Sequence, residues 1–258
     1  MKLKFGPSGL GSVKEAVKNL EAFHKLGLKA CEIAFTYGVY IHDEKDAKII
    51  GEKAKELGIE LSIHAPYYVN LNSDEKEKIE ASKQRILDCC RVGEILGAKV
   101  VVFHAGFFGK TREKAYGNIR EQIIEMQKEI SKNSWKIKLA PETMGKINVF
   151  GSVEEISQLV KETGCSFCID FAHILARDKI VDFEKLKKLF PEEKWHCHFS
   201  GIEYGEKGEK KHIPASEKLW KELLENLQNI VKEKEIKIIC EAPDPVGDAV
   251  MGMKVLEK

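Results

Sequence analysis

The feature that most constrains the fold is a recurrence: six apolar runs each finish on a histidine, an aspartate or a glutamate. The clearest is residues 99–106, KVVVFHAG, where three valines and a phenylalanine stop at His104. β-Branched residues favour strands, and an unbroken apolar run fits a strand buried on both faces, as in a parallel sheet. The other runs are IELSIHAP, stopping at His64, IKLAPET at Glu142, SFCIDFAH at Asp170 with His173 just beyond, KWHCHFSG at His198, and IKIICEAP at Glu241. A lone histidine at a strand end is ordinarily a satisfied core residue. Six acid–base or metal-ligating groups at six strand ends need another explanation, because burying unpaired charge is costly.

Between these runs the apolar positions recur at helical spacing. In order, the sequence predicts a strand at 2–6, a helix at 12–24, strand KACEIAF, a helix at 43–57, strand ELSIH, a loop at 65–73 and a helix at 74–96. Strand KVVVFH, a helix at 111–131, strand KIKLAPE and a helix at 152–163 follow, the last with Glu155 three residues after Ser152 as in a capping box. Strand SFCID, a helix at 182–190, strand KWHCHF, a helix at 216–233, strand KIICE and a short helix from Val246 to the end complete the chain. Eight strands alternating with eight helices predict an α/β fold, a single (β/α)8 TIM barrel over residues 1–258 in one domain. An open doubly wound sheet would want a glycine-rich phosphate loop after the first strand, and Gly6-Pro7-Ser8-Gly9 does not match one. Functional groups of such a barrel gather at the carboxyl ends of its strands. That places His64, His104, Glu142, Asp170, His198 and Glu241 around one mouth, with His173 and His212 in loops on the same face, as a metal site.

Composition narrows the setting. No apolar run approaches membrane-spanning length, and the N-terminus lacks a signal-peptide core. The seven cysteines lie mostly in apolar segments and read as reduced thiols, Cys165-x-x-Cys168 included. The expectation is a cytoplasmic protein with no membrane partner, acting as a monomer. A formal net charge of +1 is low for a dedicated nucleic-acid binder. Bound divalent ions would make the mouth locally positive, so their charge must be counted.

With all eight ligands, the chain resembles the endonuclease IV family of apurinic/apyrimidinic endonucleases, of the xylose-isomerase-like TIM barrel superfamily. The resemblance rests on HAPY at 64–67, FHAG around His104, PET around Glu142, D-x-x-H at Asp170 and His173, H-x-S at His198 and EAP at Glu241. It implies a hydrolase for DNA repair that cuts 5′ to abasic sites and leaves a 3′-hydroxyl. It implies Zn2+, with Glu142 bridging two ions and orienting the attacking hydroxide. His64 and His104 would complete the first site, Asp170, His198 and Glu241 the second, and His173 and His212 would hold a third. Tyr67 would lie on a DNA-binding loop; for Tyr68, DNA contact and mere cover of the mouth account equally well. Histidine and carboxylate ligands also suit Mn2+ or Fe2+.

Two positions depart from the family pattern. The family has an aspartate two residues before the last histidine; here that place is Lys210. Residues two apart on an extended segment share a face, so Lys210 would point at the third ion, and the expectation is a third site empty or partly filled. The loop FTYGVYIHDE also offers no arginine where the family contacts DNA. Two other functions therefore stand beside DNA cleavage. One is a sugar isomerase or epimerase using Glu142, Asp170, His198 and Glu241 alone; the other is a metal-holding barrel that binds damaged nucleotides without cutting. His196 reads as support behind the ligands, Glu32 as a structural ion-pair partner, His24 and His42 as surface residues, and EYGEKGEKK as a solvated, mobile loop.

Overall fold

The structure, a computed structural model, describes residues 2–110, 112–230 and 233–257. Its elements run β1 (Lys2–Pro7), α1 (Val13–Lys25), β2 (Ala30–Ala34), α2 (Glu44–Leu57), β3 (Glu60–His64), α3 (Lys76–Leu96), β4 (Val100–Phe103) and α4 (Arg112–Lys132). Then come β5 (Lys138–Pro141), α5 (Val153–Thr163), β6 (Ile169–Asp170), α6 (Phe171–Asp178), α7 (Phe183–Leu189), β7 (Lys194–Phe199), β8 (Gly201–Gly205) and β9 (Gly208–Ile213). The chain ends with α8 (Glu217–Ile230), β10 (Glu235–Cys240) and α9 (Pro245–Leu256). Thr111 and Lys258, at the ends of two expected helices, and Val231 and Lys232, inside a third, lie outside the described residues.

Parallel pairing links β2-β3-β4-β5 and, separately, β1-β10-β7-β6. Two parallel bridges join the halves, Ser8 with Glu32 and Glu142 with Cys168. Gly9 N–H donates to Glu32 O at 2.7 Å across the first seam, and Thr143 N–H to Cys168 O at 3.0 Å across the second. The result is a closed (β/α)8 barrel. Close approach of β1 to β2 depends on Gly6, where a Cβ would fall 1.9 Å from the Ala30 carbonyl oxygen. The capping box at α5 is present: Ser152 Oγ accepts from Glu155 N–H at 3.2 Å, and Glu155 Oε2 accepts from Ser152 N–H at 2.9 Å. Among the described residues no helix is long and apolar enough to cross a membrane.

Register explains why the candidate ligands meet. Side chains alternate along a strand, so residues two apart share a barrel face. His64 lies beside Val102, Asp170 beside His198, and His198 beside Ile239. The inward set therefore climbs from Glu60 through Ser62 to His64 on β3, and from His196 to His198 on β7. Inside the barrel the apolar filling is a small cluster of Val100, Val102, Ala140 and Cys168, while the large core lies between strands and helices.

Two segments differ from the sequence reading. The stretch expected as a mobile loop is the antiparallel hairpin β8–β9, standing beyond the carboxyl end of β7. Its glycines and alternating polar residues gave no apolar face to read. Nor does a long loop follow β6: α6 starts at once, because Asp170 Oδ1 accepts from His173 N–H at 2.8 Å and caps it.

Candidate metal centre

Glu142 stands at the middle of the barrel mouth, fully buried. Its Oε2 lies 3.3 Å from His64 Nε2 and 3.1 Å from His104 Nε2. Its Oε1 lies 3.1 Å from His198 Nδ1 and 3.3 Å from His173 Nδ1. Glu241 Oε1 is 3.4 Å from His198 Nδ1, and His212 Nε2 is 3.2 Å from His173 Nε2. All eight expected ligands are thus brought together. They form three groups whose ligand atoms lie within 4.8 Å of one another: His64, His104 and Glu142; Glu142, Asp170, His198 and Glu241; and Asp170, His173 and His212.

The donor set fits divalent metal. A ligating histidine presents one ring nitrogen and anchors the other. His64 Nδ1 sits 2.7 Å from Ala65 O, His173 Nδ1 3.0 Å from Thr143 O, and His212 Nδ1 2.6 Å from Ser200 Oγ, leaving each Nε2 turned into the mouth. Asp170 Oδ2 is buried without a hydrogen bond. Burial alone would raise the Glu142 carboxyl, but the charge of His198 and hydrogen bonds from His104, His173 and His198 hold it well below the usual range. Glu241 is lowered too, against its burial, by His198, whereas burial pushes Asp170 up. Burial opposes the charge on His173, yet Asp170 and Glu142 raise it to about 10. His64 and His198 are raised by the same acidic surroundings, against their own burial. Protons here balance the carboxylates, the task a divalent ion performs when it displaces them.

Behind the ligands sits a buried carboxylate. Glu32 Oε1 is 2.9 Å from His198 Nε2 and its Oε2 2.9 Å from His196 Nε2. Glu32 is therefore paired, and His196 supports rather than reaches the mouth. Burial pulls His196 down to about 4, so it is neutral. Cys168 neighbours His196 and His198, but burial keeps its thiol protonated, which is not the ligand form.

Tyr67 stands over two candidate ligands, its ring centroid 5.1 Å from His64 and 5.3 Å from His104, with half its surface exposed. Tyr68 turns aside: its hydroxyl donates to Tyr37 O at 2.8 Å, and the Arg85 guanidinium lies 4.7 Å over its ring. A cavity of about 450 Å³ opens onto His104, His173, His212 and Glu241, with Tyr67 and Lys146 at its rim.

Lys210 corrects the sequence reading. It does not point at His173 and His212; it is exposed, and the neighbouring Glu209 faces them instead. Sequence reading set Glu209 behind Lys210, as adjacent but needing the backbone to rotate, because it assumed unbroken alternation along β9. The only signal for it was a carboxylate beside the lysine.

A family model described as xylose isomerase-like TIM barrel matches residues 20–258. An uncharacterized protein of Methanocaldococcus jannaschii is 35% identical over 270 residues, covering 98% of this chain and 96% of that one. An apurinic-apyrimidinic endonuclease of Caenorhabditis elegans is 28% identical over 199 residues, covering 70% of this chain and 50% of its own. The solved structure of a D-tagatose 3-epimerase-like protein is similar over 100% of this chain and 96% of that one, with a TM-score of 0.71 at 23% identity, a likeness of fold alone.

Proposed function

Because the chain belongs to the xylose isomerase-like TIM barrel family, we propose that it is a metal-dependent phosphodiesterase hydrolysing DNA on the 5′ side of abasic sites. Zinc is the metal the reading assigns, held by His64, His104, Glu142, Asp170, His173, His198, His212 and Glu241. One observation carries this: Glu142 serves two ligand groups, one on each carboxylate oxygen. The one-ion sugar isomerase or epimerase reading rests on Glu142, Asp170, His198 and Glu241, and leaves His64, His104, His173 and His212 as extra. The likeness to an apurinic-apyrimidinic endonuclease supports the same substrate class.

When bound, clustered divalent ions supply Lewis acidity toward a phosphodiester and lower the pKa of water towards neutrality. The chain supplies the rest. Glu142 stays ionised and can orient an attacking water. Tyr67, whose phenol burial keeps protonated, offers a flat half-exposed face beside the ligands for a sugar or base. Lys146 brings a positive charge to the rim for a phosphate.

The test is a duplex carrying a tetrahydrofuran abasic analogue, which cannot undergo β-elimination. The expected result is a nick on its 5′ side with a free 3′-hydroxyl, abolished in Glu142→Gln. Ketose epimerisation without nicking would replace this reading with the isomerase one. Lesion-specific binding with no nicking under zinc, manganese or cobalt would replace it with a non-cleaving binder.

A further inference from the structure

We infer that Glu209 is a carboxylate ligand of a third metal position, with His173 and His212, and that a β-bulge at Lys210 puts it there. The inference rests on the metal-centre reading above. In a regular strand, residues three apart point to opposite faces. Pairing between β8 and β9 runs Ile202 with His212 and Glu203 with Lys211, then shifts to Tyr204 with Glu209, so Lys210 is the extra residue. One extra residue inverts the alternation beyond it. Glu209 thereby joins the face of His212 and Lys210 leaves it. Lys210 lies across Gly205, its Cε 3.1 Å from where a Cβ there would stand.

Three donor side chains then converge. Glu209 Oε2 is 3.5 Å from His173 Nε2, and Oε1 is 3.9 Å from His212 Nε2. Both histidines have their Nδ1 anchored elsewhere, on Thr143 O and Ser200 Oγ. Asp170 lies on the other side of the His173 ring, 3.3 Å from its Nδ1, so Glu209 is the carboxylate on the Nε2 side.

The hairpin is held in place for this. Glu209 N–H donates to Gly145 O at 3.1 Å. Arg177 Nη1 donates to Lys146 O and Val149 O, each at 2.9 Å, and so fixes the loop that receives the hairpin. Contact between the two segments needs glycine on both sides. A Cβ on Gly208, at φ +93°, would fall 2.1 Å from Gly145 O; one on Gly145 would fall 2.8 Å from Glu209 Cβ and 3.0 Å from His173 Cδ2. A side chain at either glycine would lift Glu209 away from the histidines.

The test loads the full chain with zinc, removes the excess, and counts ions by elemental analysis together with anomalous diffraction at the zinc edge. Wild type should carry about three ions per chain, the third peak lying between His173, His212 and Glu209. Glu209→Gln should lose that peak and keep the two around Glu142, which also reports an intact fold. Lys210→Ala should keep all three. Deleting Lys210 removes the extra residue and leaves Glu209 two positions before the histidine on a regular strand, so the third ion should persist. A third peak of undiminished occupancy in Glu209→Gln would overturn the inference. So would wild type holding only the two central ions, which leaves the phosphodiesterase reading standing. Wild type holding none would overturn both.

Discussion

Glu32 makes no approach to the barrel mouth, yet both of its oxygens contact histidines, and its partner His196 is 164 residues away in the chain. Burial would raise its carboxyl, but His198 and His196 hold it well below the usual range, so Glu32 is a buried anion against the back of the candidate ligand His198. Such a partner orients the imidazole and strengthens it as a donor. Glu32→Gln preserves shape and removes the charge. Its zinc affinity, measured by competition with a chromophoric chelator, should fall roughly 10–100-fold. An unchanged affinity would show that Glu32 supports only the fold.

Opposite the mouth, strands β1, β3 and β10 carry a charged layer of Lys4, Glu60, Glu235 and Lys237. Lys4 Nζ bonds Glu60 Oε2 at 2.8 Å and also pairs with Glu235, and Lys237 pairs with Glu60 from inside the barrel. Burial lowers the Lys237 ammonium, so its desolvation outweighs what Glu60 returns to it. Burial opposes the Glu60 carboxylate too, but Lys237 and Lys4 bring it down to about 2. A depressed carboxyl stabilises the fold above its unfolded pKa and loses that contribution as pH falls through its folded one. The advantage of wild type over Glu60→Gln should therefore be full at neutral pH and vanish between about 4.5 and about 2. In urea at neutral pH, Glu60→Gln should cost about 2 kcal/mol. That is below the roughly 3–5 kcal/mol of a fully buried broken pair, because Lys4 remains beside Glu235 and Glu60 is 25% exposed. Lys237→Met should cost less than Glu60→Gln, since Lys4 still pairs with Glu60 and the desolvation of the lysine is removed.

For the whole molecule, the mouth concentrates buried Glu142 and Asp170 and partly buried Glu241, with buried Glu32 behind them, and imidazolium protons balance this charge when no metal is bound. Metal that binds only the folded chain stabilises it by about 4 kcal/mol when free metal is 1,000 times the dissociation constant. For a chain of this size that corresponds to a melting temperature roughly 10 °C higher than after chelation. Calorimetry with and without chelator checks it. Equal melting temperatures would mean that the cluster does not hold metal. Zinc titration should also release protons from His64, His173 and His198, so the heat should change between buffers of different ionisation enthalpy at one pH.

Much of this was legible locally. An apolar run that stops at His104 or Glu142 marks a strand end, and alternation of such runs with helical spacing dictates a barrel whose strand ends share one face. The family motifs around His64, Asp170 and His173 added the grouping of the ligands. What the chain order could not show depends on how distant strands align. Glu32 meets His198 only because β2 and β7 face each other across the barrel, and Lys237 meets Glu60 for the same reason. The exchange of Lys210 for Glu209 is the sharpest case. Which way a strand residue points follows from its partner's hydrogen bonds, and one unpaired residue in β9 reverses it. That unpaired residue comes from the register of the hairpin against β8, which no spacing within residues 208–213 reveals.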